Sequence, residues 1–123
     1  MLHPNFLLLY VRDPLASAAF YTRLLGVNPV ESAPTFVLFA FPGGTKLGLW
    51  LRDEVEPRPV APAGASEWCL AVEGRQQVQG LFGDWKADGV VIAQEPAEMD
   101  FGFTFVALDP DGHRLRVFSP NPE

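Results

Sequence analysis

Few side chains in this sequence could bind a metal, move a proton or attack a carbon. The candidates are two histidines, His3 and His113, one cysteine, Cys69, and the carboxylate Glu67. Imidazole and carboxylate are common ligands of a catalytic metal and common general acids and bases, and a thiolate is a nucleophile. None of these residues has a partner at an interpretable spacing. There is no G-x-S-x-G elbow to expose a serine, no glycine-rich phosphate loop and no Cys–His pairing. His113 sits beside a turn and alternates away from Arg114, Arg116 and Phe118, so it reads as a turn residue. His3 reads as a surface residue. These residue types point toward binding rather than bond making.

The elements that carry these groups follow from periodicity and turn chemistry. Phe6 to Val11 is an apolar run of strand length. Asp13 offers an N-cap and Pro14 a favourable first helical position, so a helix is predicted through Leu15, Phe20, Leu24 and Leu25, stopped by Gly26. Ser32 to Pro34 break the chain. Thr35 to Phe41 is a strand, Pro42-Gly43-Gly44-Thr45 a turn, and Lys46 to Arg52 a strand with Gly48 and Trp50 on one face and Leu47, Leu49 and Leu51 on the other. A Pro-, Ala- and Gly-rich stretch, residues 54–65, reads as a surface linker. After it come a strand from Glu67 to Val72, a helix from about Arg75 to Ala87, and a short strand from Val90 to Ala93. A loop then leads to strands at Phe103 to Leu108 and Arg114 to Phe118. Asp109-Pro110-Asp111-Gly112 joins the last two as a hairpin turn, with Pro110 presetting φ and Gly112 permitting positive φ. Both halves, residues 1–53 and 66–123, read β-α-β-β-β, a repetition that decides architecture. Periodicity alone supports an α+β domain with mostly antiparallel sheets.

Composition sets the remaining bounds. A chain of 123 residues, 48 % hydrophobic, is long enough for one domain spanning 1–123 and short for two independent ones. A net charge of -6 with 9 basic residues argues against a nucleic-acid surface. No apolar run approaches a membrane span, and the N-terminus lacks a charged leader region, so a cytoplasmic protein is expected. Cys69 lies in an apolar run and is expected to be a buried thiol without an intramolecular disulfide.

Tyr10-Val11-Arg12-Asp13-Pro14, Phe20-Tyr21-Thr22-Arg23-Leu24-Leu25-Gly26 and the Asp109 to Phe118 hairpin together resemble the vicinal oxygen chelate superfamily. That superfamily includes glyoxalase I, extradiol dioxygenases and the bleomycin- and phenazine-resistance proteins. The resemblance covers nearly the whole chain. It implies two βαβββ modules forming a half-open, barrel-like mixed sheet around a cleft, and it implies a homodimer. In the enzymatic members His and Glu side chains hold a divalent metal in the cleft. Placing that pattern by the two anchors puts the ligand positions at Phe6, about Gly48, Glu67 and Arg116. Phenylalanine and glycine offer no lone pair there, and a guanidinium repels a cation. No metal and no other cofactor is therefore expected. His3 lies an odd number of residues from Phe6, so a register slip would not bring it to the same face.

Alternation assigns Phe6, Leu8, Tyr10, Trp50, Glu67, Cys69, Arg114, Arg116 and Phe118 to the cleft, with Gly48 leaving room for a flat ligand. Leu7, Leu9, Leu47, Leu49, Trp68, Leu70, Leu115 and Val117 are assigned to the helix side. Phe101 and Phe103 are expected to close one wall, with Gly102 allowing a bulge or close backbone approach. Met99-Asp100-Phe101-Gly102-Phe103-Thr104-Phe105, Leu47-Gly48-Leu49-Trp50 and the last hairpin most resemble the phenazine-resistance branch. Glu67 and Arg116 are expected to face each other across the cleft. They either tie it together in place of a metal, or Arg116 receives a ligand carboxylate that Glu67 orients. The function expected on these grounds is non-catalytic sequestration of a small planar aromatic, antibiotic-like compound by Phe6, Leu8, Tyr10, Trp50, Glu67, Phe101, Phe103, Arg116 and Phe118. Two alternatives stay open: a metal-dependent lyase or dioxygenase of the same superfamily, and a dimeric structural or regulatory domain with no dedicated ligand.

Overall fold

A computed structural model describes residues 1–122. The chain forms two compact units, Met1–Pro62 and Ala63–Glu123. The first contains strand β1 (Phe6–Val11), helix α1 (Pro14–Leu25), and strands β2 (Glu31–Ala33), β3 (Phe36–Ala40) and β4 (Lys46–Leu51). The second contains β5 (Glu67–Ala71), α2 (Gly74–Ala87), β6 (Val91–Met99), β7 (Gly102–Leu108) and β8 (Arg114–Pro120). Each unit folds its four strands into one mixed sheet, in the order β1-β4-β3-β2 and β5-β8-β7-β6. In each, the first strand lies parallel to the last, and the other pairings are antiparallel. The architecture is α+β, with two four-stranded sheets and no closed barrel.

Local chemistry accounts for the first helix. Asp13 accepts a hydrogen bond from the Ala16 amide, Pro14 opens the helix, and Gly26 closes it in the left-handed region at φ +69. Pro14, Ser17, Ala18 and Tyr21 recur at helical spacing and are buried. They pack on the side of the sheet that carries Val11, Val37, Phe39, Leu47 and Leu49, all fully buried. In the second unit, Phe82 and Trp85 of α2 meet the Phe105 ring edge-to-face at 5.6 and 5.4 Å, over buried Leu115 and Val117. The helix-side assignments of Leu9, Leu47, Leu49, Leu115 and Val117 therefore hold.

The Asp109 turn explains how the last two strands are registered. The Asp109 carboxylate, 5 % exposed, accepts hydrogen bonds from the Asp111 and His113 amides at 2.9 Å each. The Gly112 amide donates to the Asp109 carbonyl. His113 is thus a turn residue, and His3 is exposed.

Three expectations need correction. Glu31 to Ala33 form an edge strand where a break was expected. The segment is three residues long, exposed throughout and poor in β-formers, so only its pairing with β3 reveals it. Strand β6 runs on to Met99 through the expected loop. Register shifts between Ile92 and Gln94 and between Gln94 and Ala97 give Pro96 an irregular edge-strand position that needs no ladder amide. Cys69 is exposed rather than buried, because β5 is an edge strand. Among the described residues no helix is long and apolar enough to cross a membrane.

Candidate functional site

Each sheet has one face under its helix and one face without a helix. On the first unit, three rows of side chains line the open face. Tyr10, Trp50 and Phe36 pair across β1, β4 and β3; Leu8, Gly48 and Leu38 form the next row; Phe6, Lys46 and Ala40 form the third. Phe6 and Leu8 are 45 % and 41 % exposed, high for large apolar side chains. Tyr10 and Trp50 meet edge-to-face, with centroids 6.2 Å apart and planes at 78°. The structure therefore brings together Phe6, Leu8, Tyr10 and Trp50 as alternation required. It also adds Phe36, which the sequence reading missed. Phe36 alternates with Leu38 in a recognised strand, but only the β3–β4 register reveals that it stands beside Trp50.

Gly48 plays a different part from the one expected. A Cβ there would lie 2.7 Å from a Leu8 methyl and 2.8 Å from the Phe36 ring. The space left by the missing side chain is already filled by those two groups. Gly48 thus lets Leu8 and Phe36 close over the sheet, giving a continuous apolar surface instead of a slot.

On the second unit the open face is polar at its centre. Arg116 donates from Nε to Glu67 Oε1 at 2.7 Å and from Nη2 to Glu67 Oε2 at 2.9 Å, a bidentate charge-assisted pair. Its Nη1 also donates to Gln94 Oε1 at 3.2 Å and to Thr104 Oγ1 at 3.3 Å. The Thr104 hydroxyl in turn donates to the Val117 carbonyl at 2.8 Å. Arg114 Nε lies 3.4 Å from Glu67 Oε2. The Arg116 hydrogen bond holds the Glu67 carboxyl below its ordinary pKa of 4.5, against the opposing effect of burial. The same bond raises the Arg116 guanidinium further. Beside them the Cys69 thiol is pushed up, first by desolvation of the sulfur and then by the Glu67 charge, although the residue is exposed overall.

The Glu67–Arg116 pair exists, but its geometry differs from the one expected. The two residues stand on adjacent, hydrogen-bonded strands of one sheet, with Arg116 opposite Cys69 and Glu67 opposite Arg114. They do not reach across a cleft. Sequence reasoning also missed Gln94, because it was assigned to a loop, and Thr104, whose alternation within β7 places it beside Phe118.

Phe101 and Phe118 fall on this face as well. Phe101 projects from the β6–β7 turn, 44 % exposed, with its ring 5.8 Å from Phe118 and 5.6 Å from the Arg116 guanidinium. Phe103 does not join them. Two residues along the strand from Phe105, it lies on the helix side, 6 % exposed, with the Arg75 guanidinium 3.9 Å from its ring centre. Its assignment to a binding wall is corrected by the same period-two rule that places Phe105 under α2. Gly102 permits the hairpin that separates Phe101 from Phe103. At φ +151 its α-carbon packs so close to the Ser119 carbonyl that any Cβ would collide with the oxygen.

The donor atoms on these faces do not suit a divalent metal. Phe6 and Gly48 supply no ligand atom, both Glu67 oxygens are engaged by Arg116, and Arg116 is itself a cation. Among the described residues no three His, Cys, Asp or Glu side chains cluster as a metal site. The two cavities of note lie away from both open-face sets. One, of about 220 Å³, is lined by Arg52, Asp53, Val55, Arg58 and Pro59. The other, of about 430 Å³, lies at the start of α2 beside Arg75 and Phe103.

Known proteins resemble this chain in sequence and fold. A curated relative, the phenazine antibiotic resistance protein EhpR of Enterobacter agglomerans, is 33 % identical over 117 residues, covering 93 % of this chain and 89 % of that protein. The solution structure of protein ATC0852 from Agrobacterium tumefaciens superposes with a TM-score of 0.91 at 52 % identity, covering 99 % of this chain and all of that one. A glyoxalase-related enzyme from Fulvimarina pelagi shares the fold at 22 % identity, with a TM-score of 0.85 over 97 % of this chain and 88 % of that one. Residues 3–117 match the family description itself, and the chain belongs to the Glyoxalase/Bleomycin resistance protein/Dioxygenase superfamily.

Proposed function

We propose that this protein binds a small planar aromatic, antibiotic-like compound and withholds it from its target without altering it. The observation that carries the reading is the apolar open face of the first unit, where Tyr10, Trp50 and Phe36 stand side by side and Phe6 and Leu8 remain exposed. Exposed apolar side chains grouped on one face mark a binding surface. Aromatic rings grouped with exposed apolar side chains suit a flat partner, each offset-stacked pair adding about 1 kcal/mol beyond area burial. The similarity to a phenazine resistance protein supports a polycyclic ligand. On the second unit, Glu67 and Arg116 act as a structural tie. A ligand lying on one open surface would stay half solvated, so the reading includes a homodimer in which a second copy completes the site. On this reading the protein acts in the cytoplasm and uses no metal or other cofactor.

Calorimetric titration with phenazine, followed by chromatography of the recovered compound, tests this reading. Micromolar or tighter binding with unaltered phenazine is expected. Turnover would replace sequestration with catalysis, and failure of a broad panel of planar aromatics to bind would remove the aromatic site.

A further inference from the structure

We propose that the second unit carries a separate site for a free amino acid with an apolar side chain, in the cavity between the start of α2 and the end of β8.

The cavity, of about 430 Å³, has the size of small-molecule sites, which run from roughly 300 to 1,000 Å³. Its floor follows from strand register. Glu98, Phe103 and Ser119 are Cα partners across β6, β7 and β8, so they form one row on the helix side of the sheet. The start of α2 covers that row. The Gly74 amide donates to Ser119 Oγ at 3.0 Å, and the Arg75 guanidinium lies over the Phe103 ring, 3.9 Å from its centre. At φ +81 the Gly74 backbone favours glycine, and a Cβ there would meet nothing within 4 Å, so no side chain fills the gap at the helix start. Pro120 and Pro122 complete the lining with apolar rings.

Charge decides the ligand class. Among the described residues, the ionised side chains in the lining are Arg75 and Glu98, which pair with each other and are 59 % and 60 % exposed. The pair is neutral overall. A carboxylate that met Arg75 alone would stand against the Glu98 charge, and a cation that met Glu98 alone would stand against Arg75. A ligand with an ammonium and a carboxylate on one carbon satisfies both at once, because Arg75 and Glu98 are themselves in contact. An ion pair so exposed contributes little to stability, so its rearrangement around a ligand costs little. The stack on Phe103 keeps the guanidinium in place as this happens. The apolar side chain of the amino acid then packs against Pro120 and Pro122. A peptide terminus fits less well, since it carries only one of the two charges.

L-phenylalanine, 3-phenylpropanoate and 2-phenylethylamine isolate the two charges, since the acid lacks only the ammonium and the amine only the carboxylate. Titrations followed through backbone amide resonances should show L-phenylalanine binding at about 0.1–1 mM, ordinary for so small a ligand, and shifting Gly74, Arg75 and Ser119. Each single-charge analogue should bind roughly five- to tenfold more weakly. Glu98→Gln should bring 3-phenylpropanoate to within about twofold of L-phenylalanine, and Arg75→Gln should do the same for 2-phenylethylamine. The comparison of ligands on the wild type needs no variant, so it decides the matter even if a substitution perturbs folding. Equal binding of the acid and the amino acid would overturn the inference, as would a preference that persists in Glu98→Gln or shifts confined to residues outside the cavity. Failure of both L-phenylalanine and L-leucine to bind below about 10 mM would remove the site. None of these outcomes bears on the aromatic face of the first unit.

Discussion

The two units place chemically different residues at topologically equivalent positions, most sharply at the first two of three rows. In the first sheet Phe6 pairs with Lys46, Leu8 with Gly48 and Tyr10 with Trp50; in the second, Glu67 pairs with Arg114, Cys69 with Arg116 and Ala71 with Phe118. At the central position, one sheet has a glycine covered by Leu8 and Phe36, and the other has an arginine with four hydrogen-bonded contacts. The centres of both helix sides, by contrast, are apolar, with Val37, Leu47 and Leu49 buried in the first and Phe105, Leu115 and Val117 in the second. Topology thus constrains the side that must be buried and leaves the open side free to take on chemistry. The first face is thus an apolar surface, and the second is centred on a hydrogen-bonded ion pair.

The largest expected effect lies in the second unit. Arg116→Met leaves the Glu67 carboxylate without its bidentate partner and should cost about 2–3 kcal/mol, below the range for fully buried pairs because Glu67 is 24 % exposed. Glu67→Gln should cost somewhat less. The double variant should recover at least about 1 kcal/mol relative to additivity, read from denaturant midpoints. Strict additivity would mean that the two residues act independently.

The same pair sets an acid response. Hydrogen bonding to Arg116 lowers the folded-state pKa of Glu67, so the unfolded carboxyl takes up its proton first as pH falls. The stabilisation is complete above the ordinary value of 4.5 and is lost as pH drops through the lowered folded value. Melting temperatures measured from neutral pH down to about 3 should fall less steeply in Glu67→Gln than in the wild type. Parallel curves would show that this carboxylate is not a source of acid sensitivity.

In the first unit, Gly48→Ala should cost about 1 kcal/mol, because the new methyl displaces a Leu8 methyl and the Phe36 ring, both able to rotate away. It should also disturb the apolar surface and weaken phenazine binding. Unchanged affinity would show that Leu8 and Phe36 do not shape the ligand surface. The smallest expected effect is none: chelators should leave the melting temperature unchanged, since a metal bound to the folded state would stabilise it by mass action. A chelator-induced fall, with near one metal per chain by elemental analysis, would restore the metalloenzyme alternative.

How far the sequence foretold this comparison depends on which rule each residue obeys. Asp13, Pro14 and Gly26 delimit α1 through local chemistry, and the Asp109 turn is equally local, so both were legible. Strict alternation placed Phe6, Leu8, Tyr10, Trp50, Glu67, Arg116 and Phe118 on the open faces. It also should have excluded Phe103, which was grouped with Phe101 by proximity in sequence although Gly102 and the turn send the two rings to opposite sides. Residues whose roles depend on pairing between strands could not be read from one strand at a time. Gln94 sits in a bulged edge strand interrupted by Pro96, Phe36 acquires its place from the β4 register, and Glu67 meets Arg116 because β5 lies beside β8.

The central claim, that a planar aromatic lies on the Trp50 face, is tested most directly by following the three tryptophan indole N–H resonances during a phenazine titration. Trp50 stands on the open face, Trp85 is 4 % exposed under α2, and Trp68 shares the helix side with Leu115. Ring currents from a stacked ligand should shift the Trp50 signal saturably while those of Trp68 and Trp85 stay nearly fixed, and Trp50→Ala should weaken binding by at least about 1 kcal/mol without unfolding the protein. A stationary Trp50 signal in a protein that binds phenazine, or undiminished affinity in Trp50→Ala, would contradict the account.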